Sequence, residues 1–164
     1  MQDAYAAAIL AKPAAVLGRQ LLPLTVGHAH ALEAVNSPFV GGGDCTPSDV
    51  IFAAWLCSRK AFDGGRFAIG NLDDADKLKA WGEERGDADW EKERAELVAH
   101  LAQYSNAPKR WNKGGQSELR VPWTLALFWR VIGGNLSPER EAWAWNMELP
   151  LAISRIRRYA MRSG

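Results

Sequence analysis

Two short stretches of this sequence are apolar on every side of a helix, and helix start or stop signals bound each of them. Residues 50–57 follow segment 46–49, which supplies an N-cap threonine, a proline in the first helical position and an aspartate in the first turn. Residues 121–132 end at the glycine pair 133–134. Because a helix without a polar face must be buried, both stretches are predicted to form central core helices.

Helical periodicity predicts further helices around these two. The clearest example is residues 89–104, where Leu97, Val98 and Leu101 share one face and His100 lies elsewhere. Ser137, an N-cap candidate followed by proline, starts the helix that contains Trp143. Other helices are predicted over residues 24–35 and 73–85, before Pro13, for a turn or two after Pro13, and from Leu149 onwards. The predicted fold class is therefore all-α, with about six to seven helices.

Length and connecting segments indicate the domain organisation. A chain of 164 residues is typical of one compact domain. Within it, residues 1–20 are predicted to be loosely attached, and residues 106–119 form a polar, glycine-bearing mobile loop. Residues 39–45 are predicted to be a flexible connection, and residues 61–70 have turn signals without a clear period.

Composition limits the classes of partner. The formal net charge is +1, so the chain has no global field to hold polyanions, and nucleic acid is disfavoured as a partner. No apolar run approaches the ~20 residues that span a bilayer, and no secretory leader is recognisable, which predicts a cytoplasmic protein without a membrane partner. Eight tryptophans favour packing and partner binding. Cys45 and Cys57 flank a predicted helix, too far apart for a disulfide, so both thiols are predicted to be free.

Residue types that perform chemistry are present but poorly spaced. His28 and His30 point about 200° apart on a helix, so they cannot share a zinc ion with Cys45 or Cys57. The glycines of residues 41–45 allow a nucleophile loop around Cys45, although a flexible linker explains them equally well. Signatures of hydrolases, nucleotide triphosphatases and dinucleotide enzymes are missing. The sequence therefore predicts no enzyme, no metal and no cofactor.

The carboxyl-terminal segment is the strongest candidate for binding a partner. It combines aromatic and aliphatic side chains with a basic helix face, a composition typical of protein interfaces. Ordinary burial in the core explains each apolar residue at least as well, and the arginines also suit a solvated helix end. The predicted partner-binding residues are Trp143, Trp145, Met147, Leu151, Arg155 and Arg158.

Several segments resemble proteins of bacteriophage tails. LPLTVGHAHALE (residues 22–33), NSPF (36–39) and AAWLCSR (53–59), in this order, are similar to small proteins encoded among the tail genes of long-tailed phages and prophages. The closing WNMELPLA (145–152) resembles the tryptophan, Met-Pro-Leu and helix ending of phage tail assembly chaperones. The likeness covers about a third of the chain.

This resemblance implies a mostly helical, non-enzymatic morphogenesis protein. Such a protein coats the tape measure protein in the host cytoplasm while tail tube subunits assemble around it, and it can form homo-oligomers. Amphipathic grooves and aromatic anchors suit the reversible binding of an extended helical client. Two alternatives remain open, namely a structural tail or neck adaptor of the virion and a small regulatory DNA-binding protein.

Overall fold

Helices dominate the computed structural model, which describes residues 12–68, 72–104 and 123–153, with the backbone alone for residues 72–74. The described part begins with the hairpin strands β1 (Ala15–Val16) and β2 (Arg19–Gln20), followed by helices α1 (Val26–Ala34), α2 (Pro38–Gly41) and α3 (Pro47–Cys57). A second hairpin, β3 (Phe62–Asp63) and β4 (Arg66–Phe67), precedes helices α4 (Leu72–Glu83), α5 (Trp90–Tyr104), α6 (Trp123–Ile132) and α7 (Pro138–Trp145). Residues 149–153 are again helical. The prediction of a mostly α-helical fold is confirmed, whereas the helix before Pro13 and the 106–119 loop lie outside the described residues.

Local capping signals determine where several helices begin. Thr46 caps α3, and its side chain and that of Asp49 each accept a backbone N–H from the other residue. Ser137 caps α7 by accepting the N–H of Arg140. Both predicted helix starts are therefore confirmed. The N-cap of α1 is Thr25, whose reciprocal partner in the capping box is His28 rather than the usual acid or amide.

The predicted helical turn after Pro13 is wrong, because residues 15–20 form an antiparallel hairpin. Its turn contains Leu17 and Gly18, both with positive φ, at 51° and 75°. Two hydrogen bonds with residues distant in the sequence stabilise this unusual conformation of Leu17. Its N–H donates to the Glu93 carboxylate at 2.6 Å, and its carbonyl accepts from Arg85 Nε at 3.0 Å.

Two other connecting segments are also more regular than predicted. The connection after Pro38 begins with the short helix α2, which includes the first of its three glycines, Gly41. Residues 62–67 form the β3–β4 hairpin around Gly64 and Gly65, which both adopt positive φ. An Asp-Gly-Gly sequence close to two phenylalanines is a hairpin signal, which helical periodicity does not detect.

One cluster of buried apolar side chains connects α1 with its neighbours. Helix α1 packs against α6, α7, α2 and α3, and α3 packs in turn against α4 and α5. Six residues of α3 are buried, including Trp55 and Leu56. Helix α6 buries Leu127 and Phe128 but exposes Trp129, so it is not enclosed on all sides as predicted. No helix in the described part of the chain is both long and apolar enough to cross a membrane.

The assignment of faces on α5 needs one correction. His100, predicted to lie off the apolar face, is buried and its Nε2–H donates to the Leu22 carbonyl at 3.0 Å. Val98, predicted to lie on that face, is exposed. Position 100 lies about 60° from Leu97 around the helix and position 98 about 100°, so helical spacing itself puts His100 on the buried side. The hydrogen bond to Leu22 then provides a partner for the buried imidazole.

Gly27 of α1 lies where the helix approaches two other segments most closely. A Cβ atom at this position would lie 2.8 Å from Ala61 Cβ and 3.0 Å from the Trp145 carbonyl oxygen. Gly27→Ala is therefore expected to lower the free energy of unfolding by about 1–2 kcal/mol, despite the better helix propensity of alanine. Urea unfolding monitored by circular dichroism measures this change.

Gly82→Ala in α4 is the matched control for this prediction. Its Cβ would meet only the Ile51 side chain, 3.1 Å away, which can shift more easily than a backbone carbonyl. We expect this variant to remain within about 1 kcal/mol of the wild type, since the gain in propensity offsets the contact. An equal decrease in the free energy of unfolding of both variants would contradict a close approach that is specific to Gly27.

Candidate functional site

The predicted carboxyl-terminal site separates into exposed and buried side chains. Trp143 is 44% exposed, whereas Trp145 is 4% exposed. The two residues lie on opposite sides of α7 because positions two apart on a helix point about 200° from each other. Part of the Trp143 ring therefore lies at the surface. The prediction for Trp145 is corrected, because its side chain belongs to the core.

Trp145 is the centre of an aromatic cluster that joins α7 to three other elements. Its ring stacks on Phe128 of α6 with centroids 3.9 Å apart and on His30 of α1 at 5.0 Å. The edge of Phe67 on β4 approaches it at 4.9 Å. Next in the chain, the Asn146 side chain binds both backbone groups of Phe62. The cluster fixes α7 and therefore the position of Trp143.

Of the other predicted partner-binding residues, two are half-buried and two lie outside the described residues. Met147 is half-buried against the core, and its carbonyl accepts the N–H of Val26 at 2.9 Å. Leu151 is half-buried. Arg155 and Arg158 lie outside the described residues. Among the described members of the predicted site, Trp143 thus presents the largest apolar surface.

Sequence reasoning missed the other exposed tryptophans of the same region. Eight large apolar side chains are exposed in the described part of the chain, and four of them fall within residues 123–143. Helix α6 contributes two, the connection to α7 one and α7 itself one. We refer to this set as the exposed apolar set, which consists of Trp123, Trp129, Leu136 and Trp143. Helices α6 and α7 pack against each other, so the set belongs to one helical hairpin.

The geometry of α6 explains why its tryptophans are exposed. The helix places Thr124, Leu127 and Phe128 on the buried side. At 100° per residue, Trp129 points about 150° away from the mean direction of these three residues, and Trp123 lies at the edge of their side, about 90° from that direction. The apolar sequence that predicts burial on all sides therefore includes a tryptophan-bearing outer surface. A large apolar side chain in water is an unfavourable arrangement that a partner would relieve.

His28 is occupied by internal hydrogen bonds. Its Nε2–H donates to the Arg59 carbonyl at 2.7 Å, and its Nδ1 accepts from the Thr25 N–H at 3.2 Å. Burial lowers the pKa of His28 to about 4, opposed by the hydrogen bond to Arg59. The imidazole is therefore neutral near pH 7 and serves as a structural bridge between α1 and the end of α3.

His30, Thr124 and Glu33 form a short hydrogen-bonded relay between α1 and α6. The Thr124 hydroxyl donates to Glu33 Oε2 at 2.5 Å, so the 2.8 Å contact between His30 Nδ1 and Thr124 Oγ1 requires an N–H on His30. A histidine that donates to the hydroxyl cannot remove its proton, and Thr124 is fully buried. The relay has the residue types of a nucleophile and its base but the wrong proton arrangement. No sequence signal reveals it, because some 90 positions separate its members.

A cavity of about 500 Å³ lies between α2, the glycine-rich connection and α5. Cys45 lines it beside Phe39, Arg94 and Val98. Burial, followed by the charge of Asp49, raises the pKa of the Cys45 thiol, and the charge of Arg94 opposes this rise only in part, so the thiolate is disfavoured at neutral pH. No histidine is among the residues lining this cavity. The cavity therefore offers a nucleophile loop at Cys45 no histidine base.

The remaining metal-ligating types are also dispersed. Cys45 and Cys57 are both free thiols, as predicted, and Cys57 is fully buried. Within residues 12–68, 75–104 and 123–153, whose side chains the structure describes, no three histidine, cysteine or acidic side chains lie close enough together to hold a metal ion. Comparison of the chain with protein-family models, with curated proteins and with solved structures gives no match.

Proposed function

We propose that this chain, folded as one helical domain, is a non-enzymatic tail morphogenesis protein of a phage or prophage. Its task in the host cytoplasm would be that of a tail assembly chaperone, which binds the tape measure protein before the tail tube surrounds it. The observation that carries the proposal is the exposed apolar set on the α6–α7 hairpin. The phage assignment itself rests on the resemblance of the sequence.

The size and type of the exposed side chains support protein binding. A fully buried tryptophan covers roughly 150–250 Å². Because these three tryptophans are 37–50% exposed, together they can add about 200–330 Å² of the ~800 Å² that each partner buries in a standard interface. Trp129 is 50% exposed and Trp143 is 44% exposed, which leaves a large part of each ring available. Tryptophan is also the residue type most enriched among the side chains that dominate binding energy.

The support beneath this surface suits the repeated binding of a client. Phe128 of α6 stacks on Trp145 of α7, and Arg140 of α7 donates to the Ile132 carbonyl at the end of α6, so the two helices are held together. A surface held by such contacts loses little conformational entropy on binding. A client with an amphipathic helix would place its apolar side against the tryptophans.

Co-expression with the tape measure protein of the same tail gene cluster tests the proposal. We expect the tape measure protein to co-purify with the wild-type chain. The double variant Trp129→Ser with Trp143→Ser should weaken this association by about tenfold or more, because two anchor side chains are lost. Mass spectrometry of the captured protein and titration of the purified complex measure the effect.

Val98→Ser is the matched control, since Val98 is an equally exposed apolar residue on α5. It should leave binding unchanged, and circular dichroism should show that all variants are folded. Retention of full binding by the double tryptophan variant would contradict the proposed surface. Recovery of the chain in purified virions would favour a structural adaptor, and capture of nucleic acid that dissociates in salt would favour a DNA-binding protein.

A further inference from the structure

The cavity between α2 and α5 has an apolar floor and a charged rim. Phe39 of α2 and Leu101 of α5 line the floor, since Leu101 is buried and Phe39 is half-buried. Asp44, from the connection before α3, and Arg94 of α5 line the same cavity but are exposed, so they form its rim. The volume of about 500 Å³ falls within the ~300–1,000 Å³ that is typical of small-molecule sites. We call this feature the α2–α5 cavity.

The two charges at the rim have opposite signs and do not neutralise each other. In the part of the chain that the structure describes, Asp44 and Arg94 form no ion pair, either together or with another residue. The next acid along the chain, Asp49, is already occupied, because it accepts the N–H and the hydroxyl of Thr46 at 2.8 and 2.7 Å. The rim therefore offers one cation and one carboxylate to a ligand.

Helix α5 places the charged and apolar parts of the cavity in line. Arg94 and Leu101 are seven positions apart, so their side chains leave the helix within about 20° of each other and about 10 Å apart along its axis. Cys45 lies near the charged end, because burial and Asp49 raise the pKa of its thiol while the charge of Arg94 opposes the rise. The α2–α5 cavity is therefore polar at one end and apolar at the other, which suits a small amphipathic ligand.

Opposite charges at the rim favour a ligand that carries both signs. A carboxylate can accept two N–H groups from the Arg94 guanidinium at once. A ligand with a carboxylate alone would leave Asp44 unpaired beside a second negative charge, and a ligand with an amine alone would have the same conflict with Arg94. A zwitterion satisfies both residues, and an apolar side chain on the zwitterion would cover the floor.

We propose that the α2–α5 cavity is a binding site for a free α-amino acid with a large apolar side chain. Arg94 binds the carboxylate of this ligand, Asp44 binds its ammonium group, and Phe39 and Leu101 contact its side chain. The elements that line the cavity contribute nothing to the exposed apolar set, so the proposal does not rest on the proposed tail function.

Titration of the full-length, ¹⁵N-labelled chain with L-phenylalanine, followed by nuclear magnetic resonance, tests the site. We expect saturable shifts of the amide signals of residues 39–45 and 94–102. Arg94→Gln should weaken binding by about five- to tenfold, because it removes a pair of charge-assisted hydrogen bonds. Asp44→Asn should weaken it by about threefold, as expected for an exposed ion pair.

Lys92→Gln is the matched control, since it removes the same charge as Arg94→Gln from an exposed position on α5. Position 92 points about 200° away from position 94, so affinity should stay within about twofold of the wild type. Circular dichroism establishes that the variants are folded, as expected for changes at exposed positions. Failure of the wild type to bind L-phenylalanine, or equal binding by folded Arg94→Gln, would overturn the proposal.

Three further ligands test the chemical class. Glycine lacks the side chain, 3-phenylpropanoate lacks the ammonium group, and phenethylamine lacks the carboxylate. Glycine should bind at least about tenfold more weakly than L-phenylalanine, because it covers none of the floor. The other two should bind at least about threefold more weakly. Equal or tighter binding of any of the three would overturn the assignment to an apolar amino acid.

The thiol of Cys45 provides an independent readout of where the ligand lies. Cys57 is fully buried, so iodoacetamide should alkylate Cys45 alone in the folded chain. Saturating L-phenylalanine should slow this alkylation at least about threefold, whereas glycine at the same concentration should leave the rate unchanged. An alkylation rate that L-phenylalanine does not change would place the ligand outside the cavity and overturn the proposal.

Discussion

Trp145→Ala is expected to lower the free energy of unfolding by about 3–5 kcal/mol, the largest effect among the substitutions considered. The substitution removes the side chain that stacks on Phe128 and His30 and meets the edge of Phe67. The neighbours come from α6, α1 and β4, so they cannot all move into the space that is left. Urea unfolding monitored by circular dichroism measures the loss.

Trp143→Ala is the matched control, because it removes the same side chain two positions earlier on the same helix. Trp143 is exposed, so we expect its loss to change the free energy of unfolding by less than about 1 kcal/mol. Both variants make the same Trp→Ala change on one helix, so the difference between their free energies of unfolding reports how deeply each tryptophan is buried. Similar losses from both substitutions would contradict the assignment of Trp145 to the core and Trp143 to the surface.

Acidification from pH 7 to pH 4 is expected to lower the free energy of unfolding by about 3 kcal/mol through His28 alone. Burial, the largest cause, lowers the pKa of His28 to about 4 in the folded chain, against its usual 6.5. The unfolded chain therefore takes up a proton first as the pH falls. The stabilising contribution is complete above pH 6.5 and is lost progressively as the pH falls towards 4.

The hydrogen bonds of His28 explain this expected loss at the atomic level. Nδ1 accepts the N–H of Thr25, so a proton on Nδ1 would face another donor and break the capping box of α1. Unfolding curves at a series of pH values measure the dependence. Burial also lowers the pKa values of His30 and His100, so both residues further lower the free energy of unfolding on acidification.

His28→Gln isolates the contribution of His28, since glutamine does not titrate. The variant should be less stable at pH 7 but should lose about 3 kcal/mol less than the wild type on acidification. If the free energy of unfolding depends on pH in the same way in the variant and the wild type, His28 is not the buried neutral imidazole that the structure describes.

The helix boundaries that follow from neighbouring residues could be predicted. Thr46 and Asp49, or Ser137 and its proline, determine a helix start through contacts within four positions. The positive φ of Leu17 could not be predicted in the same way, because Leu17 donates a hydrogen bond to Glu93 and accepts one from Arg85, which both lie far away in the sequence. Local propensity cannot anticipate a conformation that distant side chains stabilise.

In the candidate site, too, some features follow from neighbouring residues and others depend on distant parts of the chain. Helical spacing separates Trp143 from Trp145, but which of the two is buried depends on where α6 and α1 lie. Helical spacing also puts His100 nearer to Leu97 than Val98 is, but the carbonyl of Leu22 that accepts from the buried imidazole comes from another part of the chain.

The measurement that tests the central claim most directly is site-specific photocrosslinking with the tape measure protein. A photoreactive phenylalanine analogue would replace Trp143, Trp129 or, as the control, Val98 in the full-length chain. We expect crosslinks to the tape measure protein from positions 143 and 129 and none from position 98. Crosslinks from position 98 alone, or none from any position while the complex still co-purifies, would contradict binding through the α6–α7 hairpin.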